Sequence, residues 1–468
     1  MKLVQKKYKK GLVWLRHDLR LSDHIPLQTA CSLCDEVQLV FIFDSEILDT
    51  LAKDDCRVTF IYDCLEDLRG SLKARRDCLK LFYGRAVDLI PRLATGLGVE
   101  VVFTGEDYEP LAIARDRFVG QRLGEIGVVF YPMKDSVIFH KDDVMKGDGQ
   151  PYKVFTPYKR QWLKQVNSRQ RVKKPNLKKL RPWPEIDAAG EVNDPQEFGF
   201  IRNPCDEPAG EKGALLRLRA FRTGLTSYHE RRNFPAIQGT SNLSMHLRFG
   251  TVGIRTLVDW AIEDASEGAE VWLSELIWRE FYKAILYHCP WVVSGPFQRK
   301  YDQLHWPSNP HWFKKWQDGE TGYPIIDAAM RHFAATGKMH NRLRMVVAQF
   351  LTKDLLTHWR HGEDYFAQKL LDFDLSANSG GWQWSASVGC DAQPYFRIFN
   401  PSLQSKRFDP NGEFIKRHLP ELAAVPAPQI HDPQKLAPHR PKSYPRPLVV
   451  HKEMAAEAKA MFRGEGFS

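Results

Sequence analysis

The hydrophobic pattern of this chain changes period once, and that change restricts the folds open to it. In about the first 130 residues, short apolar runs alternate with helical patterns. The runs are Leu12–Leu15, Val37–Phe43, Val99–Phe103 and Ile126–Phe130, and the helical patterns are Arg57–Arg69, Ala86–Leu97 and Pro110–Leu123. Such alternation predicts an α/β domain, over residues 9–140, with a doubly wound parallel sheet and helices on both faces.

From about residue 211 the pattern is helical only. The predicted helices are Ala214–Arg222, Val252–Glu263, Val271–Tyr287, Pro324–Thr336, Asn341–Arg360, Tyr365–Leu371 and Met454–Phe462. We therefore predict an all-helical domain over residues 211–468. Residues 166–210 are basic and then rich in proline and polar residues, which is typical of a linker between domains.

Charge and composition narrow the class of function. Lys and Arg number 67 against 57 Asp and Glu, so the 468-residue chain has a net charge of +10. This excess favours an acidic partner, most commonly nucleic acid, although a merely basic soluble protein has the same balance. The basic start lacks the apolar segment of a signal peptide, and no stretch of eighteen apolar residues occurs. We expect a cytoplasmic protein, with no membrane partner.

The eight cysteines do not form the pattern of a disulfide framework in a chain of this length. The spacing Cys31-Ser-Leu-Cys34 lies in a predicted helix and has no second copy, so no metal or redox site is expected there. Cys289 and Cys390 alone fall in the C-terminal half, which is too few for an iron–sulfur cluster. No metal cofactor is predicted.

Tryptophan is concentrated in one part of the chain. Ten of the thirteen lie between Trp260 and Trp384, and two of these are in Gly380-Gly381-Trp382-Gln383-Trp384. A buried indole N–H needs a partner, so ordinary cores use tryptophan sparingly. The concentration suits stacking on flat ligands or bases and electron transfer between aromatic rings.

Four segments carry candidate chemistry. Helical spacing places Glu275, Trp278, Arg279 and Tyr282 on one face, although a solvated Glu275–Arg279 pair beside a buried Trp is a plain alternative. Asn341, Arg344 and Met345 share another face, with Arg342 off it. Asp372 is available to pair with Arg344, and the glycine pair that follows permits close approach of a ligand. The run Gly239-Thr240-Ser241-Asn242-Leu243-Ser244 precedes a helix and suits a diphosphate, or is simply an N-cap.

Together these segments resemble the photolyase/cryptochrome family, most closely its class I photolyases for cyclobutane pyrimidine dimers. Further matches are Trp14–Arg20, Asp148–Pro157 and Gly322–Arg331, so the resemblance covers nearly the whole chain. It implies a light-driven DNA repair enzyme, a carbon–carbon lyase, with an N-terminal antenna-binding domain and a C-terminal FAD-binding domain. Reduced, anionic FAD would donate an electron to a dimer flipped out of UV-damaged DNA. We expect a monomer in the bacterial cytosol.

The resemblance assigns roles by position. FAD contacts are implied for Tyr228, Thr240, Ser241, Asn242, Leu243, Ser244, Trp272, Glu275, Arg279, Arg344, Asp372, Asp374 and Asn378, the last facing flavin N5. Dimer contacts are implied for Glu275, Trp278, Asn341, Met345 and Trp384. An electron-transfer chain from flavin to surface is implied for Trp382, Trp359 and Trp306, and contacts near the DNA backbone for Arg232, Arg342 and Arg397.

The chain departs from the family pattern at two places. Met245 stands where the family usually has proline after the phosphate segment, and FAD binding is expected to tolerate the change. After Tyr108-Glu109, Leu111 and Ala112 stand where folate-using relatives have an Asn-Glu pair. A deazaflavin, a flavin or no antenna chromophore is therefore expected in preference to methenyltetrahydrofolate.

Two other functions within the family remain open as alternatives. A (6-4) photoproduct photolyase shares fold and cofactor, but its animal-like branch carries a His pair where Asn341 and Met345 stand here. A cryptochrome photoreceptor is a signalling module, and plant-type members usually have Asp at the position of Asn378. Both comparisons favour repair of cyclobutane dimers.

Overall fold

A computed structural model describes residues 7–166, 172–186 and 189–464. The chain forms two compact units. The sheet unit contains Met1–Gln150, Lys159–Leu225 and Ser241–Glu280, and the helical unit contains Pro151–Tyr158, Thr226–Thr240 and Phe281–Ser468. The domain limits at 9–140, 166–210 and 211–468 stay predictions from the sequence, and part of the basic run after residue 166 lies outside the described residues.

A six-stranded sheet forms the centre of the sheet unit, in the order β5-β4-β1-β2-β3-β6. The strands are β1 (Tyr8–Leu15), β2 (Cys34–Asp44), β3 (Leu79–Gly84), β4 (Val101–Gly105), β5 (Val129–Met133) and β6 (Glu191–Val192). The first five pair in parallel, and β6 pairs antiparallel with β3. Val13 of β1 is aligned with Leu39 on one side and Phe103 on the other, and all three are fully buried. The predicted parallel α/β architecture is confirmed.

The helices of the sheet unit fill the connections between strands. They are α1 (Ile25–Leu33), α2 (Ser45–Leu48), α3 (Cys56–Leu72), α4 (Ala86–Leu97) and α5 (Pro110–Glu125). Helix α4 ends at Gly98, whose left-handed φ of 62° is easily adopted by glycine. Leu93 of α4 and Val119 of α5 are fully buried in one cluster with Trp14 of β1, so these two helices form part of the core.

Two sequence predictions placed strands too early, and two strands were missed. The runs at Val99–Phe103 and Ile126–Phe130 become β4 and β5, which begin two and three residues later because helix and turn continue up to Gly98 and Gly127. The missed strand β3 follows a basic 3₁₀ segment and is only six residues long. The missed β6 has two residues, too few to leave a periodic signal.

The sheet unit also includes chain segments that follow the five parallel strands. These segments contain α7 (Gly210–Arg222), α9 (Ser244–Phe249) and α10 (Ile254–Asp264). Helix α6 (Phe155–Gln165) comes earlier in the chain, and α8 (Tyr228–Arg231), which lies between α7 and α9 in sequence, belongs to the helical unit. On α10, the buried Arg255 donates to Asp23 at 2.8 Å and to Asp135 at 2.7 Å. Asp135 also accepts from Arg20 at 2.5 Å. These guanidinium groups hold the pKa of the Asp135 carboxyl well below its usual range, although burial opposes them.

The helical unit contains no strand among the residues that the structure describes. After α11 (Glu267–His288) its helices are α12 (Pro310–Asp318), α13 (Pro324–Thr336), α14 (Asn341–Gln349), α15 (Trp359–Lys369), α16 (Leu375–Ala386), α17 (Pro401–Phe408), α18 (Glu413–His418), α19 (Ala427–Ile430), α20 (Pro433–Leu436) and α21 (His451–Arg463). A large core of aromatic and aliphatic side chains lies among them. None of the helices in the described ranges combines the length and apolar character needed to cross a bilayer.

The single helix predicted over Asn341–Arg360 is wrong, because two helices occupy this stretch. Helix α14 ends at Gln349, a five-residue π-helical segment follows over Phe350–Asp354, and α15 begins only at Trp359. The imidazole Nδ1 of His358 caps α15 by accepting from the Arg360 amide at 3.2 Å. All residues from Val346 to Thr357 are buried, so the apolar pattern has no polar face that would reveal the break.

Candidate functional site

The segment before α9 lies in the sheet unit from Ser241 onward. Helix α9 begins at Ser244, and its N-cap residue Leu243 makes no side-chain hydrogen bond to the first turn. Asn242 has a positive φ of 52°. Leu243 and Met245 are buried, so Met245 contributes to packing where the family usually has proline. The segment precedes a helix as predicted, but that helix starts without a side-chain cap at its N-cap residue.

The predicted face of α11 contains several half-buried side chains of the sheet unit. Glu275, Trp278 and Arg279 are all neither fully buried nor fully exposed. The Arg279 guanidinium donates to the carbonyl of Ser136 at 2.6 Å and to that of Leu247 at 3.4 Å. A guanidinium carries several N–H donors in one plane, so this type of side chain is suited to an anionic or polar ligand.

Trp272, one turn before Glu275 on α11, is buried in an aromatic cluster of the sheet unit. Its ring centroid lies 5.4 Å from that of Phe221 and 5.4 Å from that of Trp260, the latter edge to face. Offset and edge-to-face packing of this kind stabilises the rings beyond simple burial. One edge of the cluster is thereby fixed close to the half-buried side chains of α11.

In the helical unit, the predicted pairing of Arg344 with Asp372 is confirmed. The Arg344 Nη2 atom donates to both carboxylate oxygens of Asp372, at 3.0 and 2.8 Å, and the Nε atom donates to the Met339 carbonyl at 2.9 Å. The Arg344 side chain keeps 31% of its exposure and that of Asp372 10%. A charge-assisted pair in this partly buried position fixes one guanidinium at the edge of the site.

The start of α16 brings the next predicted residues together. Asp374 caps the helix by accepting from the Ala377 amide at 3.1 Å, and its carboxylate forms an ion pair with the buried Lys283 at 2.9 Å. One turn later, the Asn378 amide Nδ2 donates to the carbonyl of Glu363 at 3.1 Å. Sequence reasoning missed Lys283 and Glu363; both are charged residues at buried helix positions, a signal that only a structure assigns to partners.

The side chain of Glu363 adds a titratable group close to Asn378. Burial raises the pKa of the Glu363 carboxyl to about 7, while the charge of Arg360 and a hydrogen bond from Ser379 act in the opposite direction. A carboxyl with this pKa exchanges its proton near neutral pH. The carbonyl that orients Asn378 therefore belongs to a residue whose carboxyl changes its charge near neutral pH.

The two glycines of α16 differ in what they permit. At Gly380 a Cβ atom would overlap the Tyr282 ring, so this glycine is needed for packing between two helices. At Gly381 no atom lies within 4 Å of the position that a Cβ would take. The sequence suggested that both glycines give a ligand close access, and only Gly381 has open space beside it.

The three tryptophans of the predicted electron-transfer chain lie in the core of the helical unit. Trp382 and Trp359 are 3% and 1% exposed, and Trp306 is 9% exposed. Trp382 packs over Gly362, where a Cβ would overlap its ring. It also contacts Phe366 with ring centroids 5.0 Å apart and the buried Trp316 at 6.1 Å, both edge to face. Exposure is greatest at Trp306, the residue predicted to end the chain.

Arg342 contacts the side chains of Asn233, Phe408 and Met345 in the helical unit. Its Nε and Nη2 atoms donate to the Asn233 Oδ1 atom at 3.2 and 2.8 Å, and its guanidinium carbon lies 4.5 Å from the Phe408 ring centroid. Its Nη1 atom lies 3.7 Å from the Met345 sulfur. Arg342 thus contacts the face that holds Met345, although the sequence pattern put it off that face. Asn233 and Phe408 were not predicted.

The remaining predicted residues of the helical unit differ in exposure. Arg397 and Asn341 are exposed, and Trp384 and Thr240 are half-buried. Arg232 is half-buried, and its guanidinium lies 5.3 Å from the ring of Tyr228, itself 7% exposed. A guanidinium over an aromatic ring is held in place by a cation–π interaction.

The positions that bear on a second chromophore lie at the start of α5. Leu111 is 87% exposed, and Ala112 beside it is half-buried. Glu109 forms an ion pair with Arg248 at 3.3 Å within the sheet unit, and Tyr108 is buried. Neither Leu111 nor Ala112 has a polar side chain to offer a ligand here.

No group of three or more His, Cys, Asp or Glu in the described ranges is arranged to hold a metal ion. The Cys31-Ser-Leu-Cys34 spacing is divided between α1 and β2, because Cys34 is the first residue of the strand. The prediction that both lie in one helix is therefore wrong. Burial raises the pKa of each thiol to about 12, which keeps both sulfurs protonated and unreactive.

The chain matches two known families over most of its length. Residues 11–178 match the family described as DNA photolyase, and residues 272–464 match the FAD binding domain of DNA photolyase. A similar relative is the deoxyribodipyrimidine photo-lyase of Escherichia coli, 39% identical over 96% of this chain and 98% of its own length.

Solved structures give the same result for the fold. The chain is similar to an archaeal photolyase from Sulfolobus tokodaii with two FAD molecules, with a TM-score of 0.82 and 31% identity over 97% of this chain and all of that one. It is also similar to a cryptochrome from Synechocystis, with a TM-score of 0.86 and 25% identity over 98% of this chain and all of that one. Fold similarity alone therefore does not separate repair from light sensing.

Proposed function

This chain belongs to the DNA photolyase family, and from that premise we propose that it repairs cyclobutane pyrimidine dimers in DNA under light. The observation that carries the proposal is the similarity, over nearly the full length, to proteins named deoxyribodipyrimidine photo-lyase. The net charge of +10 suits a DNA substrate, whose phosphates attract Lys and Arg. A monomer in the bacterial cytosol stays a prediction.

The residues at the start of α16 fit FAD. Arg344 and Asp372 offer a guanidinium and a carboxylate at a partly exposed edge. Asn378 is 8% exposed, and no described residue donates to its Oδ1 atom although its Nδ2 atom is bonded. An amide oxygen has two acceptor sites, so this Oδ1 atom is open to a hydrogen bond from a ligand. A flavin ring N–H is a donor for such a bond, and we assign Asn378 to that contact.

When bound and reduced, FAD supplies the electron that splits the dimer after light absorption. The protein's part is to bind the dimer and the cofactor and to exclude water. A dimer has lost normal stacking, so flipping it out of the duplex costs less than flipping an intact pair. We assign apolar contact with the flipped dimer to Trp278 and Trp384, further contact to Asn341 and Met345, and a hydrogen bond to the pyrimidine edge to Glu275.

DNA-backbone contacts are assigned to Arg232, Arg342 and Arg397. A guanidinium is the side-chain group best matched in charge and geometry to a phosphate oxygen. For Arg342 the assignment gains support from its surroundings, because Asn233 and Phe408 restrict its motion before DNA arrives. A side chain held in advance loses less entropy on binding.

Repair is tested with an oligonucleotide that contains one thymine dimer. Enzyme with reduced FAD and blue light should restore the thymines, whereas the same mixture in darkness should not. A parallel oligonucleotide with a (6-4) photoproduct tests the related lyase activity. Repair of the (6-4) lesion alone would favour that branch, and absence of both activities would favour a cryptochrome function.

A second chromophore other than methenyltetrahydrofolate is proposed for the antenna domain. Leu111 is 87% exposed and apolar, and Ala112 is equally unable to bond the polar edge of a pterin. Each unsatisfied polar group of a buried ligand typically costs about 1–3 kcal/mol. The protein is reconstituted with folate, deazaflavin or flavin, and the excitation spectrum of repair is then measured. We expect energy transfer from the deazaflavin or the flavin, or no energy transfer from any of the three chromophores. Tight stoichiometric folate binding would contradict the assignment.

A further inference from the structure

Among the three tryptophans of the predicted electron-transfer chain, Trp359 alone has a cation over its ring in the described part of the helical unit. The guanidinium carbon of Arg360 lies 5.4 Å from the Trp359 ring centroid. The Arg360 Nη1 atom donates to the Val293 carbonyl at 2.7 Å, which anchors the group, and its charge also acts on the carboxyl of Glu363 one turn later on α15. No described carboxylate lies within 4.0 Å of this guanidinium.

The ring of His358 links Trp359 to Trp306. Its centroid lies 5.6 Å from that of Trp359, with the planes inclined by only 25°, and 5.6 Å from that of Trp306. Burial lowers the pKa of His358 to about 4, and its Nδ1 atom accepts from the Arg360 amide. The imidazole is therefore neutral at ordinary pH and adds no positive charge between the two indoles.

The surroundings of Trp306 are different. Its neighbours include Phe462, at a centroid distance of 6.0 Å, and the Lys353 amine lies 3.7 Å from the Phe462 ring. Burial lowers the pKa of Lys353 well below its ordinary value, which favours the uncharged amine. Trp306 is also more exposed than Trp359, so water is available to solvate a charge there.

These differences act on a tryptophan that has lost an electron. A guanidinium over a neutral indole is favourable, but it repels the same ring once that ring is a radical cation. The electron transfer at issue moves one electron from Trp306 to the Trp359 radical cation. It leaves Trp359 neutral and Trp306 as the radical cation, whose indole N–H proton can then pass to water.

We propose that Arg360 is a positioning residue that makes this transfer directional, by disfavouring positive charge on Trp359 and so driving it outward to Trp306. The inference rests on the electron-transfer chain that resemblance assigns to Trp382, Trp359 and Trp306. It adds a residue that acts through Trp359 and that contacts neither flavin nor DNA in the proposed function.

The test is flash photolysis of the holoenzyme with oxidised FAD. Arg360→Gln removes the charge and keeps a donor for the Val293 carbonyl, Arg360→Met also removes the charge, and Arg360→Lys retains it. The measured quantities are the yield and lifetime of the tryptophanyl radical signal. Loss of the charge should lower the long-lived radical yield roughly tenfold, since a surviving cation on Trp359 returns its charge more readily. Arg360→Lys should restore most of the yield.

Three controls separate the possible failures. FAD content and repair by enzyme reduced beforehand should be unchanged in all three variants, which a general loss of structure would not permit. Trp306→Phe should shorten the radical lifetime in any background. If Trp306→Phe has the parent lifetime, the electron path is wrong and the proposal falls with it, although dimer repair would stand. If Trp306→Phe behaves as expected but Arg360→Gln and Arg360→Met match the parent, Arg360 has no directing role.

Discussion

Two sets of tryptophans are held in different ways, and the division does not follow the two units, because the Trp316 Nε1 atom of the helical unit donates to the Val347 carbonyl at 3.2 Å. In the sheet unit, the Trp162 Nε1 atom donates to the Glu280 carboxylate at 2.7 Å, and the Trp183 Nε1 atom donates to the carbonyls of Leu39 and Cys78 at 3.0 and 3.1 Å. In the helical unit, the described residues provide no acceptor for the indole N–H of Trp306, Trp359 or Trp382.

The difference separates two uses of one residue type. An indole whose N–H is bonded to a buried acceptor serves as an anchor, because loss of that bond leaves a polar group unsatisfied. An indole held only by ring packing is fixed in place but keeps its N–H for water or a ligand. The second arrangement suits a ring that must lose an electron and then a proton.

The largest expected effect is on Trp382. Trp382→Phe should abolish photoreduction of oxidised FAD, because phenylalanine preserves most of the packing over Gly362 but is much harder to oxidise. Repair by enzyme that was reduced beforehand should be spared. Photoreduction is followed by the flavin absorption under blue light with an external thiol. A parent-like rate would mean that Trp382 is only a core residue, as Trp162 is expected to be.

A smaller effect is expected when a half-buried tryptophan in neither set is removed. Trp278→Ala should weaken binding of dimer-containing DNA by about 1–3 kcal/mol, or about five- to hundred-fold, because one stacking wall is lost. FAD content should stay close to normal. Affinity is measured in darkness with damaged and undamaged duplexes of the same sequence. Equal weakening for both duplexes would assign Trp278 to general DNA contact.

An anchor should respond in stability and not in photochemistry. Trp162→Phe removes the N–H that Glu280 accepts, and should lower the free energy of unfolding by about 1–3 kcal/mol. Trp183→Phe is the matched variant, because it removes a donor from two backbone carbonyls, whereas Trp162→Phe removes a donor from a carboxylate. Denaturant unfolding and photoreduction are measured on both. Slower photoreduction of FAD in Trp162→Phe, at full FAD content, would contradict the distinction between tryptophans whose N–H is bonded and tryptophans held by ring packing alone.

The acceptor of Trp162 should also make stability depend on pH. Burial raises the pKa of Glu280 to about 7, against the opposing bonds from Ile138, Trp162 and Phe139. Because the folded-state pKa lies above the unfolded value, the contribution of Glu280 to stability is largest at low pH. It falls as the pH rises from about 4.5 to about 7, by an upper bound on the order of 3 kcal/mol. The difference between wild type and Glu280→Gln, measured across this range, isolates the contribution; a constant difference would refute it.

The sequence predicted the fold class and one ion pair of the candidate site, but less of the local geometry. Pairing of Arg344 with Asp372 followed from opposite charges in segments that share a family resemblance, and the parallel sheet followed from short apolar runs. The break between α14 and α15 could not be predicted, because every residue from Val346 to Thr357 is buried and no polar face marks where the helix ends.

Contacts that depend on the third dimension were likewise hidden. Lys283 and Asp374 are far apart in sequence, and nothing in either segment indicates that a buried ammonium meets a helix cap. Asn233 lies in an irregular stretch with no periodic signal, yet it accepts two bonds from Arg342. Single residues of this kind become functional candidates only when their partners are known.

The π-helical segment over Phe350–Asp354 has a consequence for how the chain tolerates changes in length. Each residue added to or removed from a helix turns everything beyond it by about 100°. The wider turn sets the rotation about the helix axis between α14, which carries Arg344 and Met345, and the stretch that leads to Trp359. Substitutions that keep the number of residues in this segment preserve that rotation. A one-residue deletion would change the direction in which every later side chain of the stretch points. The length of this segment is therefore a stricter requirement than its composition.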